Sequence, residues 1–206
     1  MPYLGTQPND VKKNIGLYTP NEILQLEKDG NWGGSLELIE EKPISAVSSA
    51  IFTNIKETVY DVHFLTVNTF IPSIDNTGLQ MRFFENGVEE NGSVYQYAQF
   101  IQDTTSSGEF RSTSATALVL NWNSGNGAGE TGQSYSYLYN LGNSSKYSFY
   151  SGMENHWYYT LNSIRHSFGG GVLPQASTVD QIKIFVSSGT FSATAKLYGV
   201  KQIWVT

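Results

Sequence analysis

Short stretches of alternating apolar and polar residues, separated by turn residues at intervals of roughly 8 to 15 positions, run from Ser35 to the end of the chain. This spacing is typical of antiparallel sandwiches, in which tight turns connect neighbouring strands. The stretch 58–70 carries apolar residues on both alternating faces, which predicts a central strand covered on both sides. Helical stretches do not alternate with the strands, so a parallel α/β sheet is disfavoured.

The predicted fold class is therefore all-β, an antiparallel jelly-roll-like β-sandwich over residues 35–206 with an N-terminal arm and one short α-helix. The composition agrees, because aromatic residues make up 14% of the chain and the chain holds 20 glycines. Aromatic residues favour strands and glycine favours turns. Charged residues are only 15%, against about 25% in an ordinary soluble domain.

Residues 1–34 are predicted to form the arm and the helix. Residues 1–18 are polar, with too few apolar side chains to fold alone. Residues 19–22 read Thr-Pro-Asn-Glu, a capping box with proline at the first helical position, and Gly30 is placed to end the helix. We predict that this region attaches the protein to a partner. The candidate assembly residues are Thr19, Pro20, Glu22, Ile23, Leu24, Leu26 and Trp32.

Several functional classes are disfavoured by composition. The chain has no cysteine, which excludes disulfides, zinc-thiolate sites and a cysteine nucleophile. A net charge of -6 argues against binding to a phosphate backbone, so no nucleic acid is expected as a partner. No apolar stretch approaches 18 residues, so no membrane insertion is expected. The first residues lack the basic and apolar regions of a secretory signal peptide.

Catalytic signatures are weak. The sequence Gly127–Gly132 matches G-x-G-x-x-G, but a strand follows it where a dinucleotide site needs a helix. The histidines have no accompanying nucleophile motif. Five carboxylates are candidates for a glycosidase pair, yet all lie in turn-like segments, and a hydrolase needs two carboxylates across a cleft. The five are Glu85, Glu89, Glu90, Asp103 and Glu109. We predict that the protein is not an enzyme and has no catalytic residue, cofactor or metal ion.

Aromatic residues provide the candidate contact surfaces. Three tyrosines recur at every second position of the stretch 134–141 and share one face, which favours either an interaction surface or an inward core face. Two long segments, 102–114 and 123–133, are predicted to be loops that contact other molecules. The candidate surface or ligand residues are Trp122, Tyr135, Tyr137, Tyr139 and Trp157.

Most of the chain, from about Gly16 onward, resembles small virion structural proteins of tailed bacteriophages, especially phages of aquatic and marine bacteria. The resemblance is one of sequence phrases and includes no catalytic signature. The stretches that carry it are Asn31–Glu41, Phe52–His63, Leu79–Gly87, Tyr139–Ser148, Phe168–Ala176 and Ala195–Lys201.

The resemblance implies a non-enzymatic virion protein, made in the host cytoplasm without a signal peptide. It implies a tail fibre or appendage component that docks through its arm and displays the sandwich, with a role in host-surface recognition. A capsid decoration protein and a carbohydrate-binding module are the alternatives. The expected partners are other virion proteins, further copies of this chain in a homo-oligomer, for which we expect a trimer, and a host surface glycan.

Overall fold

The computed structural model describes residues 19–21, 24, 25 and 35–201. The chain divides into two units, Met1–Ser35 and Leu36–Thr206. In the first unit, the helix predicted to follow Thr19 is present at Pro20, Asn21, Leu24 and Gln25. The predicted assembly residues Glu22, Ile23, Leu26 and Trp32 lie outside the described residues.

The second unit is built from β-strands, as predicted. The strands are β1 (Leu36–Val47), β2 (Ser49–Phe52), β3 (Val62–Pro72), β4 (Leu79–Glu85), β5 (Val88–Glu89), β6 (Tyr95–Asp103), β7 (Ser107–Ala115), β8 (Leu118–Val119), β9 (Gly132–Tyr139), β10 (Ser148–Tyr158), β11 (Ser163–Leu173), β12 (Val179–Val186) and β13 (Phe191–Val200).

Two antiparallel sheets form a sandwich-like arrangement. The large sheet has eight strands in the order β1-β13-β3-β9-β10-β11-β6-β7, and the small sheet has the order β2-β12-β4-β5, with β8 paired to β4. The predicted all-β class is confirmed, and the strand order is compatible with a jelly roll. The strand predicted to be central, β3, lies between β13 and β9, but the cover predicted on both of its faces is wrong, because only the face with His63, Leu65 and Val67 is buried against the small sheet.

The core lies between the two sheets. Its side chains come from alternate positions of the strands, because successive residues of a strand point to opposite faces. Residues Phe52, Met81 and Phe83 of the small sheet and Leu138 and Leu197 of the large sheet are all fully buried in one hydrophobic cluster.

Two predicted elements fold differently. The segment 102–114 was predicted to be a loop, but β7 occupies Ser107–Ala115 as the edge strand of the large sheet. An edge strand that is mostly exposed needs no apolar alternation, so no strand pattern is visible in this segment of the sequence. Conversely, the apolar stretch 115–122 forms only the two-residue strand β8, because the amides of Leu120 and Asn121 both donate to the Leu79 carbonyl and the chain leaves the sheet.

The fold buries His63 completely. Its Nε2 lies 2.7 Å from the Ile55 carbonyl oxygen, and its ring packs edge-on against Tyr60, with centroids 6.0 Å apart. Burial lowers the pKa of the His63 imidazole below its ordinary value, because the charged form is poorly solvated there. Folding therefore favours the neutral ring.

This burial predicts a stability that depends on pH. Below about pH 6.5 the unfolded chain binds a proton at this residue that the folded chain does not, so stability falls as the pH is lowered. We expect wild type to lose up to about 1.4 kcal/mol of unfolding free energy per pH unit more than His63→Gln. Urea unfolding of both proteins between pH 7 and pH 5 measures this difference, and parallel profiles would contradict it.

Candidate functional site: the outer face of the large sheet

The tyrosine row of β9 faces outward. Tyr135 and Tyr137 are 38% and 37% exposed and Tyr139 is half-buried, whereas Ser136 and Leu138 between them are buried. Of the two interpretations that the sequence leaves open, the structure therefore shows the surface and not the core face. The inward positions of β9 are taken by smaller side chains.

Neighbouring strands extend this row into a continuous aromatic surface. Phe64 of β3 lies directly opposite Tyr137, and their ring centroids are 4.7 Å apart. Phe64 also contacts Tyr135 at 5.9 Å and Tyr198 of β13 at 6.2 Å, while Tyr137 stacks on Tyr139 at 6.5 Å. Such cross-strand aromatic pairs stabilise a sheet. We call these five residues the tyrosine ridge.

A second aromatic group lies two strands away. Phe168 of β11 is 48% exposed and lies opposite Phe100 of β6, with ring centroids 5.7 Å apart. His166 on the same strand contacts Phe168 at 6.0 Å. The outer face therefore carries aromatic rings on both sides of β10.

A shallow groove of about 610 Å³ separates the two groups, with Tyr137 and Phe168 among its lining residues. Its floor is low because the outward residue Ser151 is small and the remaining floor is the backbone of Gly152 and Gly169, two positions that face the interior of the sandwich. A Cβ at Gly152 would lie 2.4 Å from the Tyr135 carbonyl oxygen, and one at Gly169 would lie 2.3 Å from the Ala98 carbonyl oxygen. Both strands therefore approach their neighbours too closely for a side chain.

A side chain at position 152 would point into the sandwich beneath the groove and is expected to destabilise the sheet. Gly152→Ala forces β9 and β10 apart at Tyr135, and we expect a loss of about 1 to 3 kcal/mol in unfolding free energy. Gly108→Ala is the matched control, because nothing lies within 4 Å of a Cβ built there. Urea unfolding compares the two variants. An equal effect of both substitutions would contradict the close approach at Gly152.

The outer face is also free of charge at its centre. We call the outward-facing residues of β3, β9, β10, β11 and β6 the outer plateau. None of these described residues is Asp, Glu, Lys or Arg. Charges begin at its two borders, where Lys196 pairs with Glu41 at 3.2 Å on one side and Arg111 pairs with Glu109 at 3.5 Å on the other.

Trp157 lies at one end of the plateau. It is 36% exposed and stands opposite Ile164, which is 53% exposed. Its indole Nε1 donates to the Asn162 Oδ1 at 3.0 Å in the turn between β10 and β11. The prediction of Trp157 as a surface residue thus agrees with its position.

Trp122, one of the predicted surface or ligand residues, is less accessible than a ring that is free to stack on a ligand. It is half-buried, and its Nε1 donates to the Gln99 Oε1 at 2.6 Å. Its ring contacts Phe110 at 4.9 Å and Tyr97 at 6.1 Å. Trp122 therefore anchors the segment that follows β8 onto β6. The accessible ring of this aromatic group is that of Phe110, which is 41% exposed.

Beneath the outer plateau lies a buried polar network. The Glu154 carboxylate accepts a hydrogen bond from the Ser167 hydroxyl at 2.8 Å, and its other oxygen lies 2.9 Å from the His156 Nδ1. All three side chains are at most 3% exposed. This arrangement connects the inward faces of β10 and β11 and is closed to a substrate.

Asp103 and Glu109, two of the carboxylates considered above for hydrolysis, have separate roles. Asp103 accepts hydrogen bonds from the amides of Thr105 and Ser106 and from Arg165, whose Nη2 lies 3.0 Å away. These bonds, the Thr105 amide first, hold the pKa of the Asp103 carboxyl well below its usual range. Glu109 is exposed at the edge of the sheet and pairs with Arg111.

The candidate assembly residues are described only in part. Thr19, Pro20 and Leu24 are exposed, and Leu24 is 48% exposed. Within the described ranges, no group of three or more His, Asp or Glu side chains is arranged to hold a metal ion. No helix in that part of the chain has the length and apolar character needed to cross a bilayer.

The chain matches no protein-family model, and no curated protein matches it.

The sequence analysis missed the residues that widen the tyrosine row into a surface. Phe64, Phe100 and Phe168 are not among the predicted surface residues, because the pairing register between strands decides which rings meet on one face of the sheet. The available signal was the absence of charge at alternate positions of all five strands.

Proposed function

We propose that this chain is a non-enzymatic structural protein of a bacteriophage virion, a tail fibre or appendage component. In this role residues 1–34 dock onto the particle and the sandwich is displayed for contact with other molecules, including the host surface. The observation that carries the proposal is the outer plateau, a charge-free aromatic surface on an extensively paired antiparallel sheet. Surfaces of this composition favour protein contacts.

The resemblance to small virion structural proteins supports the same role. A virion protein must remain folded after release, without chaperones or replacement, so slow unfolding is an advantage. The eight-stranded sheet, in which β1 pairs with β13 and most neighbours are distant in sequence, suits that requirement.

The location of the protein on purified particles tests the proposal. Particles of a phage that encodes this chain are labelled with an antibody against it and examined by electron microscopy, with copy number from quantitative mass spectrometry. We expect tail-associated label at a fixed copy number. Label over the head favours the capsid decoration alternative, and absence from purified particles contradicts a virion role.

Attachment through the arm has its own test. A chain that lacks residues 1–30 is expected to fold as a sandwich, which circular dichroism checks, but to be lost from particles. Incorporation of this truncated chain at the copy number of the full chain would contradict docking through the arm.

Host glycan recognition is the second candidate, and the aromatic group of Trp122, Phe110 and Tyr97 favours it. Sugars stack on such rings, and Phe110 is the exposed member of the group. We expect host envelope glycans to be retained without cleavage by the full chain. Release of oligosaccharide that disappears in Asp103→Asn or Glu109→Gln would instead identify a hydrolase.

Two variants separate stacking from loop anchoring. Trp122→Ala removes a ring and also the hydrogen bond to Gln99, whereas Phe110→Ala removes only a ring. Loss of glycan retention in both variants supports stacking, and Val88→Ala on the small sheet is the control. Unchanged retention in Phe110→Ala would contradict a site at this group.

A further inference from the structure

We propose that the outer plateau is an interface between copies of this chain, in which the tyrosine ridge of one copy packs into the glycine-floored groove of another. Such an interface would form in solution, whether or not the protein belongs to a virion. Three observations about the plateau carry the inference: its apolar area, its distribution of charge and its relief.

The exposed apolar area reaches the upper limit of what a monomer usually carries in one patch. Seven large apolar side chains of the plateau are between 36% and 53% exposed. With about 200 Å² for a large side chain, they expose roughly 600 Å², at the upper limit for the largest patch of a monomer. The half-buried rings add to this and bring the surface near the ~800 Å² that each partner contributes to a standard interface. The seven residues are Tyr135, Tyr137, Phe149, Met153, Trp157, Ile164 and Phe168.

The distribution of charge is that of a protein interface. Known interfaces have an apolar centre depleted of charge and a polar rim. Here the centre extends across five strands, about 19 Å at the usual strand spacing, and its described residues include no Asp, Glu, Lys or Arg side chain. Each border presents one cation and one anion, Lys196 with Glu41 and Arg111 with Glu109. Because each border carries both signs of charge, the border of one copy can meet the border of another with opposite charges facing each other.

The shape of the plateau is complementary to the same surface on a second copy of the chain. The tyrosine ridge rises on the β3 and β9 side, and the groove lies immediately beside it, along Ser151, Gly152 and Gly169. A ridge and a groove on the same face allow one copy to fill the groove of the next. A saccharide site of this area would need polar side chains between the rings, and the groove offers mainly backbone and apolar groups.

The test is the state of association of the full chain. Sedimentation equilibrium is measured between 1 and 100 µM on wild type and on Tyr137→Glu and Phe168→Glu, which place a charge on each side of the groove. Val88→Glu is the matched control, because Val88 is 70% exposed and lies on the small sheet. Circular dichroism checks that each variant is folded, as expected for substitutions at exposed positions.

We expect wild type and Val88→Glu to associate, with three chains as the expected stoichiometry, and both plateau variants to show at least a hundredfold higher dissociation constant. A dimer with the same response to the plateau variants supports the interface and corrects the stoichiometry. Wild type that remains a monomer at 100 µM overturns the proposal. Plateau variants that associate as wild type does overturn it as well.

Discussion

Replacement of Glu154 with alanine is expected to lower the free energy of unfolding by about 2 to 5 kcal/mol, because two buried polar groups each lose a hydrogen-bond partner. The substitution leaves the His156 Nδ1 and the Ser167 hydroxyl without their acceptor in a site where all three side chains are at most 3% exposed. Urea unfolding at pH 7 measures the loss.

Glu154→Gln is the matched control for this prediction. It preserves the volume and one hydrogen bond to each neighbour, so a loss of only about 1 kcal/mol is expected. An alanine variant as stable as the glutamine variant would contradict a structural role for the network. The contact between β10 and β11 would then not depend on it.

A second large effect is expected from replacement of a phenylalanine in the core, and an exposed phenylalanine of the outer plateau provides the comparison. Phe83→Ala removes a fully buried ring from the core, and we expect a loss of about 3 to 5 kcal/mol. Phe168→Ala removes a ring that is 48% exposed, and its effect on the stability of the isolated chain is expected to stay below about 1 kcal/mol.

The same pair of variants separates stability from association. Phe168→Ala is expected to weaken self-association although the chain remains stable, because its ring lines the groove. The comparison is made by urea unfolding at 1 µM and by sedimentation at 50 µM. Equal destabilisation by the two substitutions would show that the outer plateau is packed against something within the same chain.

The fold class could be predicted from the sequence because the alternation of apolar and polar residues and the residue types of turns depend only on neighbouring positions in the chain. Asn86 and Gly87, a residue pair typical of hairpin turns, have φ angles of 52° and 76° and form the tight turn between β4 and β5. The edge strand β7 was missed for the opposite reason. Its exposure on an outer edge removes the apolar alternation by which a strand is recognised.

The candidate site was predictable only in part. The period of two in β9 places the three tyrosines on one face, but it does not say which face is covered by the second sheet. The groove depends on register, since Gly152 lies beside Tyr135 and Ser136 while Gly169 lies beside Gln99. These pairings join residues distant in sequence, so no local pattern reports them.

The proposed interface requires that the outer plateau is covered when copies of the chain meet. Hydroxyl-radical footprinting of wild type at 1 and 100 µM measures this, with Tyr135 and Tyr137 on the plateau and Tyr147 and Tyr159 outside it as internal references, 47% and 50% exposed. We predict that Tyr135 and Tyr137 become protected from modification at the higher concentration, while the modification of the reference tyrosines does not change. Equal modification of all four tyrosines at both concentrations would contradict it.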